Sequence, residues 1–153
     1  MMPSHMFNIL KISGRRHELE EFRRALEGFD PTYRDGIELF NPMCFNSLIE
    51  LPFNETQTMI NLERARIRLW GCGSNAAGVK LKESAHELRY SFTTADNVPK
   101  PVIDLMLKKF PNLKFELDFH NPRRGIKGVM RVHKGNAIFS EVDQFAKEKP
   151  NVA

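Results

Sequence analysis

The stretch Leu113-Lys-Phe-Glu-Leu-Asp-Phe-His120 decides the fold class, because apolar and polar side chains alternate along its whole length. Alternation with a period of two places every second side chain on the same face of a β-strand. One face of this strand therefore carries leucine and phenylalanine, and the other carries lysine, carboxylates and histidine. The pattern predicts a strand in a sheet that has one buried face and one face in water.

Outward from this strand, the sequence predicts further strands alternating with helices. The predicted helices are amphipathic segments over 15–28 and 55–70 and one that begins near Pro101 and stops before Pro111. The predicted strands cover 6–13, two segments within 79–94 that turn near 83–86, and a closing hairpin of 129–133 with 137–142. This order favours an α+β ferredoxin-like sandwich, a mostly antiparallel sheet with helices packed on one face.

The length of 153 residues predicts one ferredoxin-like domain over 1–146, followed by a polar C-terminal tail over 147–153. The segment 29–53 is harder to interpret because four pairs of residues that favour turns interrupt it. A short strand is predicted within it, over 45–51. The remainder is long for a loop without structure, which is typical of a lid or a docking element.

Composition and charge narrow the function classes. The two cysteines, Cys44 and Cys72, have no CxxC spacing, which indicates a reducing compartment and falls short of the four thiolates that usually hold an iron–sulfur cluster. No apolar run approaches the roughly 20 residues of a membrane span, and the N-terminus has no signal-peptide pattern. We therefore expect a cytoplasmic protein without a membrane segment, an iron–sulfur cluster or another cofactor.

A basic segment near the end of the chain is one candidate site. Its members are Arg123, Arg124, Lys127, Arg131 and Lys134. Lysine and arginine contacts with phosphates supply most non-specific affinity for nucleic acid, and the formal net charge of +4 is compatible with such a ligand. Sheets of this shape that bind RNA stack bases on aromatic side chains of the open face. The predicted strand instead turns its phenylalanines inward and presents Glu116 and Asp118, which repel phosphates.

A second candidate site lies on the same strand. Glu116, Asp118 and His120 share one strand face at spacings of roughly 7 Å, from a rise of about 3.3 Å per residue. Two carboxylates and a histidine form a set that suits a metal ion or acid–base chemistry. Arg89, Ser91 and Thr93 are predicted on the same face of an adjacent strand. The alternative is that these side chains form the solvated face of a half-covered sheet.

Several motifs follow one another in a fixed order. The chain opens Pro3-Ser-His-Met-Phe-Asn8-Ile-Leu10-Lys-Ile12-Ser-Gly14 and later contains Trp70-Gly71, Phe92-Thr-Thr94-Ala95, Val98-Pro99 and Gly125-Ile-Lys-Gly128. These motifs resemble the YubB-type ferredoxin-like family, which begins Met-Pro-Asn-Trp-Cys-x-Asn-x-Leu-x-Val-x-Gly and has a central Trp-Gly-Thr-Lys-Trp-Asp signature. The matched positions singled out here are Asn8, Trp70, Gly71, Thr94, Ala95, Pro99, Gly125 and Gly128. Cys72-Gly-Ser-Asn75 departs from the rest of the central signature.

The resemblance implies a fold rather than an activity. It covers the chain from Met2 to about Val142 and places the protein among those of bacteria, plasmids and phages whose biochemical role is unassigned. It therefore implies the cytoplasm of a bacterial cell or of an infected bacterial host. Because no catalytic pattern is complete, the leading hypothesis is a non-catalytic protein that binds another protein. The alternatives are a nucleic-acid-binding module that uses the basic segment and a small metal-dependent enzyme.

Overall fold

The computed structural model describes residues 4–30, 40–52, 58–133 and 136–143, and of 133 and 136–143 it describes the backbone alone. The predicted tail over 147–153, Lys134 and the first residues of the predicted helix over 55–70 lie outside this part of the chain.

Strands and helices alternate through the described chain. The strands are β1 His5–Ser13, β2 Gly28–Phe29, β3 Phe40–Asn41, β4 Ala77–Glu83, β5 Glu87–Ala95, β6 Lys114–Asn121, β7 Ile126–His133 and β8 Asn136–Asp143. The helices are α1 Arg16–Leu26, α2 Phe45–Leu48, α3 Met59–Trp70 and α4 Lys100–Lys109. None of these four helices has the length and apolar character needed to cross a membrane.

Six strands form one antiparallel sheet in the order β4-β5-β1-β6-β7-β8, and β2 and β3 form a separate two-stranded pair. Strand β1 lies at the centre, where Ile9 is opposite both Ser91 of β5 and Asp118 of β6. The prediction of an α+β protein with an antiparallel sheet is confirmed. The two strands predicted within 79–94, the turn between them and the closing hairpin are also present.

The helices pack on one face of the sheet and form the core with it. Leu10, Tyr90 and Leu117, which come from three neighbouring strands, are completely buried on this face. Phe22 of α1 makes edge-on ring contacts with Tyr90 and Phe115, at centroid distances of 6.3 and 5.6 Å. Such aromatic contacts add about 0.5–1.5 kcal/mol each to the stabilisation from buried area. The covered face therefore supplies most of the packing.

The structure differs from the sequence prediction in the segment after β3. Residues 45–51 were predicted as a short strand, but Phe45–Leu48 is a helical turn. The backbone N–H of Phe45 donates to Asn75 Oδ1 at 2.9 Å, and that of Leu51 donates to Asn46 Oδ1 at 3.0 Å. Asparagine side chains therefore satisfy backbone groups that a strand would pair with a neighbouring strand.

The start of α3 also differs from its prediction. The helix begins at Met59, where the Thr58 side chain accepts a hydrogen bond from the Asn61 N–H at 3.1 Å. Threonine is a favoured N-cap residue, because its oxygen satisfies an N–H that has no partner within the helix.

Candidate binding surface

The face of the sheet opposite the helices is called the open face below, and it consists of side chains in regular rows. Three rows cross β5, β1, β6 and β7 in that order, about 7 Å apart along the strands. They are Thr93, Phe7, His120 and Lys127; Ser91, Ile9, Asp118 and Val129; and Arg89, Lys11, Glu116 and Arg131. None of these side chains belongs to the buried core, so the open face is free of core packing against the described helices.

An aromatic pair lies in the first row. The rings of Phe7 and His120 stack with a centroid distance of 5.2 Å and an angle of 23° between their planes, and Phe7 is 43% exposed. Phe7 was not among the predicted site residues, because β1 carries apolar residues on both faces and a polar residue, Asn8, on its buried face. The register against Thr93 of β5 and His120 of β6 would have been needed to assign the face.

The open face carries an excess of positive charge. On the described strands, seven lysine or arginine residues share this face with three carboxylates. The cations are Lys11, Lys80, Lys82, Arg89, Lys114, Lys127 and Arg131, and the carboxylates are Glu87, Glu116 and Asp118. The excess of four charges equals the formal net charge of the whole chain. The described strands therefore give the open face a net positive charge, which attracts anions.

The three residues of the predicted metal site, Glu116, Asp118 and His120, make separate contacts in the structure. Glu116 lies 3.6 Å from the Arg131 guanidinium, and His120 is stacked on Phe7. Asp118 makes neither an ion pair nor a side-chain hydrogen bond with a described residue, and its cross-strand neighbours on this face are Ile9 and Val129. In the described chain, no group of three His, Cys, Asp or Glu side chains is arranged to hold a metal ion.

The companion residues of that set lie on the predicted face but not on the adjacent strand. Arg89, Ser91 and Thr93 are in β5, and β1 separates β5 from β6. The prediction of an adjacent strand was wrong because strand order depends on long-range pairing, which the period of the sequence does not contain. The direct neighbours of Glu116 and His120 on this side are Lys11 and Phe7.

The predicted basic cluster is also divided. Lys127 and Arg131 lie on the open face, because Ile126–His133 is strand β7 rather than a loop followed by a shorter strand. Arg123 lies in the exposed turn before β7. Arg124 donates from Nη1 to the Asp96 carbonyl at 3.1 Å and to Asn97 Oδ1 at 2.8 Å. Its guanidinium therefore fixes a neighbouring loop and is not a simple phosphate contact.

A network of polar side chains closes the end of the sheet where β1 begins and β5 and β6 end. We call Ser4, Asp96, Asn121 and Arg124 the polar end. The Ser4 hydroxyl donates to Asp96 Oδ1 at 2.8 Å, and Asn121 Nδ2 donates to Ser4 Oγ at 2.8 Å. Asn121 Oδ1 accepts from the Arg124 N–H at 3.2 Å. Because Asn121 is fully buried, these bonds replace the water that its amide loses on folding.

Most family-motif positions lie around the polar end. Asn8 donates to Thr94 Oγ1 at 3.2 Å, the Ala95 N–H donates to Ser74 Oγ at 2.9 Å, and Gly128 is opposite Phe119. Gly125 has a φ of 66° in the turn before β7, and Pro99 is buried. These positions therefore make structural contacts rather than a cluster of reactive groups.

The two remaining motif positions have structural roles as well. Trp70 is buried and donates its indole N–H to the Ile49 carbonyl at 2.9 Å. Gly71 ends α3 with a φ of 85°, and a Cβ there would lie 2.6 Å from Pro101 Cδ. Glycine suits this position because the left-handed conformation and the close approach both disfavour a side chain.

The cysteines are buried and free. Burial raises the pKa of the Cys72 thiol to about 12, which outweighs its hydrogen bond with the Ser74 carbonyl and the nearby charge of Arg66. The thiol is therefore protonated at neutral pH, whereas cysteine nucleophiles act as thiolates.

Comparisons with known proteins show similarity of fold. No family model matches the chain, and no curated protein sequence matches it. The crystal structure of a protein api92 from Yersinia pseudotuberculosis, described by the family model DUF1281, is similar with a TM-score of 0.70 and 8% sequence identity. The similarity covers 93% of this chain and 98% of that chain. At this identity the similarity shows a shared α+β fold and carries no information on function.

Proposed function

We propose that this protein is a binding module and that its open face binds single-stranded nucleic acid. The observation that carries this proposal is the stacked pair of Phe7 and His120, which lies on two inner strands of a sheet face with excess positive charge. Aromatic side chains on such a face stack with unpaired bases, and lysine and arginine contact the phosphates. Lys127 of β7 is opposite His120. When a base stacks on the aromatic pair, this lysine can therefore contact the phosphate of the same nucleotide.

The charges of the open face also support a polyanionic ligand. Two features of the predicted strand disfavour such a ligand: Glu116 and Asp118 face outward, and the phenylalanines of the strand face the core. Phe7 removes the second objection, and the ion pair between Glu116 and Arg131 weakens the first. Asp118 remains as a carboxylate without a cationic partner in the described chain.

The finer fold assignment is part of the same proposal. We propose a ferredoxin-like sandwich of the YubB type, extended by the hairpin of β7 and β8. Its support is the strand order β4-β5-β1-β6, with α1 leading out of β1 and α4 joining β5 to β6, which is the order of a split βαβ arrangement. A bacterial cytoplasm, or that of an infected host, is the proposed compartment, and the free, buried Cys44 and Cys72 support a reducing environment.

Fluorescence anisotropy with labelled single-stranded RNA and DNA and with the corresponding duplexes tests this function. We expect binding to single strands that weakens between low salt (about 50 mM) and physiological salt (about 150 mM), because bound phosphates release counterions. Phe7→Ala is expected to weaken binding about 5- to 150-fold, since one base–aromatic stack contributes about 1–3 kcal/mol. Lys127→Gln is expected to lower the slope of log K against log salt by about 0.7.

Phe29→Ala is the matched control, because Phe29 is 56% exposed but belongs to the separate β2–β3 pair. It removes the same chemical group from a different surface and is expected to leave binding unchanged. Absence of binding at low salt, or equal losses with Phe7→Ala and Phe29→Ala, would contradict the proposed surface.

Binding of another protein is the second candidate function, and an exposed apolar part of α3 favours it. Ile60 and Ile67 are 66% and 47% exposed and are seven residues apart, which places them on one side of the helix. If this surface binds a protein, Ile60→Ser with Ile67→Ser will abolish the recovery of that protein from bacterial lysate, and Phe7→Ala will not. The opposite pattern would assign the partner to the open face.

A further inference from the structure

We propose that Asp118 determines base specificity on the open face, selecting bases whose Watson–Crick edge presents hydrogen-bond donors. This role rests on the proposed function, because it assigns a task to one residue of the same surface. It concerns the base that follows the one stacked on Phe7.

The position of Asp118 suits contact with a base. It lies in the middle row of the open face, two residues from His120 along β6 and between Ile9 and Val129 of the neighbouring strands. The middle row is about 7 Å from the row that contains Phe7 and His120, a distance that separate, successive nucleotides can span. Ile9 and Val129 are apolar and partly exposed, and a base that packs on one of them has its edge beside the Asp118 carboxylate.

The contacts of the two outward carboxylates of β6 differ. Glu116 has the Arg131 guanidinium at 3.6 Å. Asp118 makes no ion pair or side-chain hydrogen bond with a described residue, so its two carboxylate oxygens are available as acceptors. A phosphate over Asp118 would be repelled by its charge, whereas an uncharged base would not, and the nucleic-acid backbone is therefore expected to follow the cations of the adjacent rows.

The hydrogen-bonding capacity of a carboxylate predicts an order of affinity for the four bases. An ionised carboxylate accepts hydrogen bonds and cannot donate them. Guanine presents two adjacent donors, the N1–H and the N2 amino group, which match the two carboxylate oxygens. Adenine and cytosine each present one amino group beside an acceptor nitrogen, and uracil presents one N–H between two carbonyl oxygens that the carboxylate repels. The expected order is guanine first, adenine and cytosine next, and uracil last.

A set of labelled heptamers, all uridine except for one variable central base, tests this order in the full chain. Wild-type protein is expected to bind the guanine heptamer about tenfold more tightly than the uridine heptamer, the usual range for a paired base contact. Asp118→Asn exchanges one acceptor oxygen for a donor group at nearly constant size. It is expected to remove the preference for guanine and to strengthen binding of the uridine heptamer.

Glu116→Gln is the matched control, since it removes the same charge from the same face of the same strand. It is expected to strengthen binding of all heptamers by a similar factor and to retain the preference for guanine. Thermal unfolding followed by circular dichroism checks that both variants are folded. An unchanged preference in Asp118→Asn, with binding still sensitive to Phe7→Ala, overturns the role of Asp118 alone. Absence of binding by wild-type protein overturns the proposed function and this role with it.

Discussion

The two faces of the central sheet are made by alternate residues of the same strands, yet they differ in what constrains them. On the covered face, Leu10 and Leu117 are fully buried against the helices. On the open face, Lys11 and Asp118 are partly exposed and are next to those residues in the sequence. Burial restricts the covered face to apolar side chains of matching shape. The open face is free of that restriction, and its residues can therefore serve recognition.

The two faces contribute differently to stability because one is removed from water and the other remains in contact with it. Removal of apolar area from water stabilises the fold by about 25 cal/mol per Å², and a cavity in a packed core adds a further cost. Ions that remain in water interact weakly, with a median contribution of about 0–1 kcal/mol per exposed pair. Substitutions on the covered face should therefore change stability, and those on the open face should change binding.

The largest expected effect compares two phenylalanines on opposite faces of the sheet. Phe115→Ala is expected to lower the free energy of unfolding by about 3–5 kcal/mol, because the 1% exposed ring packs edge-on against Phe22 and its removal leaves a cavity. Phe7→Ala is expected to lower it by less than about 1 kcal/mol, because water already reaches the ring. Urea unfolding followed by circular dichroism measures both values.

Equal losses of stability from the two substitutions would break the comparison. That result would mean that Phe7 is packed as a core residue and that the open face is not available to a ligand. Phe29→Ala again serves as the control for loss of an exposed ring outside the main sheet.

The difference between the faces also explains how much of the fold the sequence could predict. The alternation from Leu113 to His120 predicted a strand with the correct buried set, because its leucines and phenylalanines all face the core. Strand β1 was predicted as a strand, but the sequence did not show which of its residues face the core, because Phe7 and Ile9 are apolar and lie on the open side. Asn8 adds to the ambiguity: it is buried, and its amide donates to Thr94 Oγ1, 86 residues away in the sequence.

The candidate surface was less predictable than the fold. The basic residues near the C-terminus were predicted as one site because they are close in sequence, but their side chains lie in different parts of the structure. Lys127 and Arg131 lie on the open face, whereas Arg124 is bound at the polar end. Lys11 and Arg89 join the surface through the pairing of β1 with β5. Strand order depends on contacts between distant segments, so local periodicity could not place these side chains together.

A smaller expected effect tests a polar residue at the end of the covered face. Asn121→Ala is expected to lower the free energy of unfolding by about 1–3 kcal/mol, because Ser4 Oγ and the Arg124 N–H lose their buried partner. Asn97→Ala is the matched control. Asn97 also bonds to Arg124, but it is exposed and water replaces the amide, so a loss below about 0.5 kcal/mol is expected.

Urea unfolding of the two asparagine variants decides whether the polar end is structural. A loss for Asn97→Ala as large as that for Asn121→Ala would contradict the view that burial sets the cost. A loss for Asn121→Ala near zero would show that water enters the polar end and satisfies the groups left there.

The smallest expected effect is the coupling of Glu116 with Arg131 on the open face. Their charged atoms are 3.6 Å apart, but the arginine side chain is 64% exposed, so solvent screens the attraction. A double-mutant cycle of Glu116→Gln and Arg131→Gln is expected to give a coupling free energy between about 0.2 and 1 kcal/mol that decreases in high salt. Urea unfolding at low and high salt measures it.

A weak coupling has a consequence for the proposed ligand. Arg131 leaves Glu116 at little cost when a phosphate approaches, because the guanidinium exchanges one anion for another in solvent. Arg131→Gln is then expected to weaken binding of single strands several-fold without a matching loss of stability. A coupling well above 1 kcal/mol would instead hold Arg131 on Glu116, and the open face would have one cation fewer for the ligand.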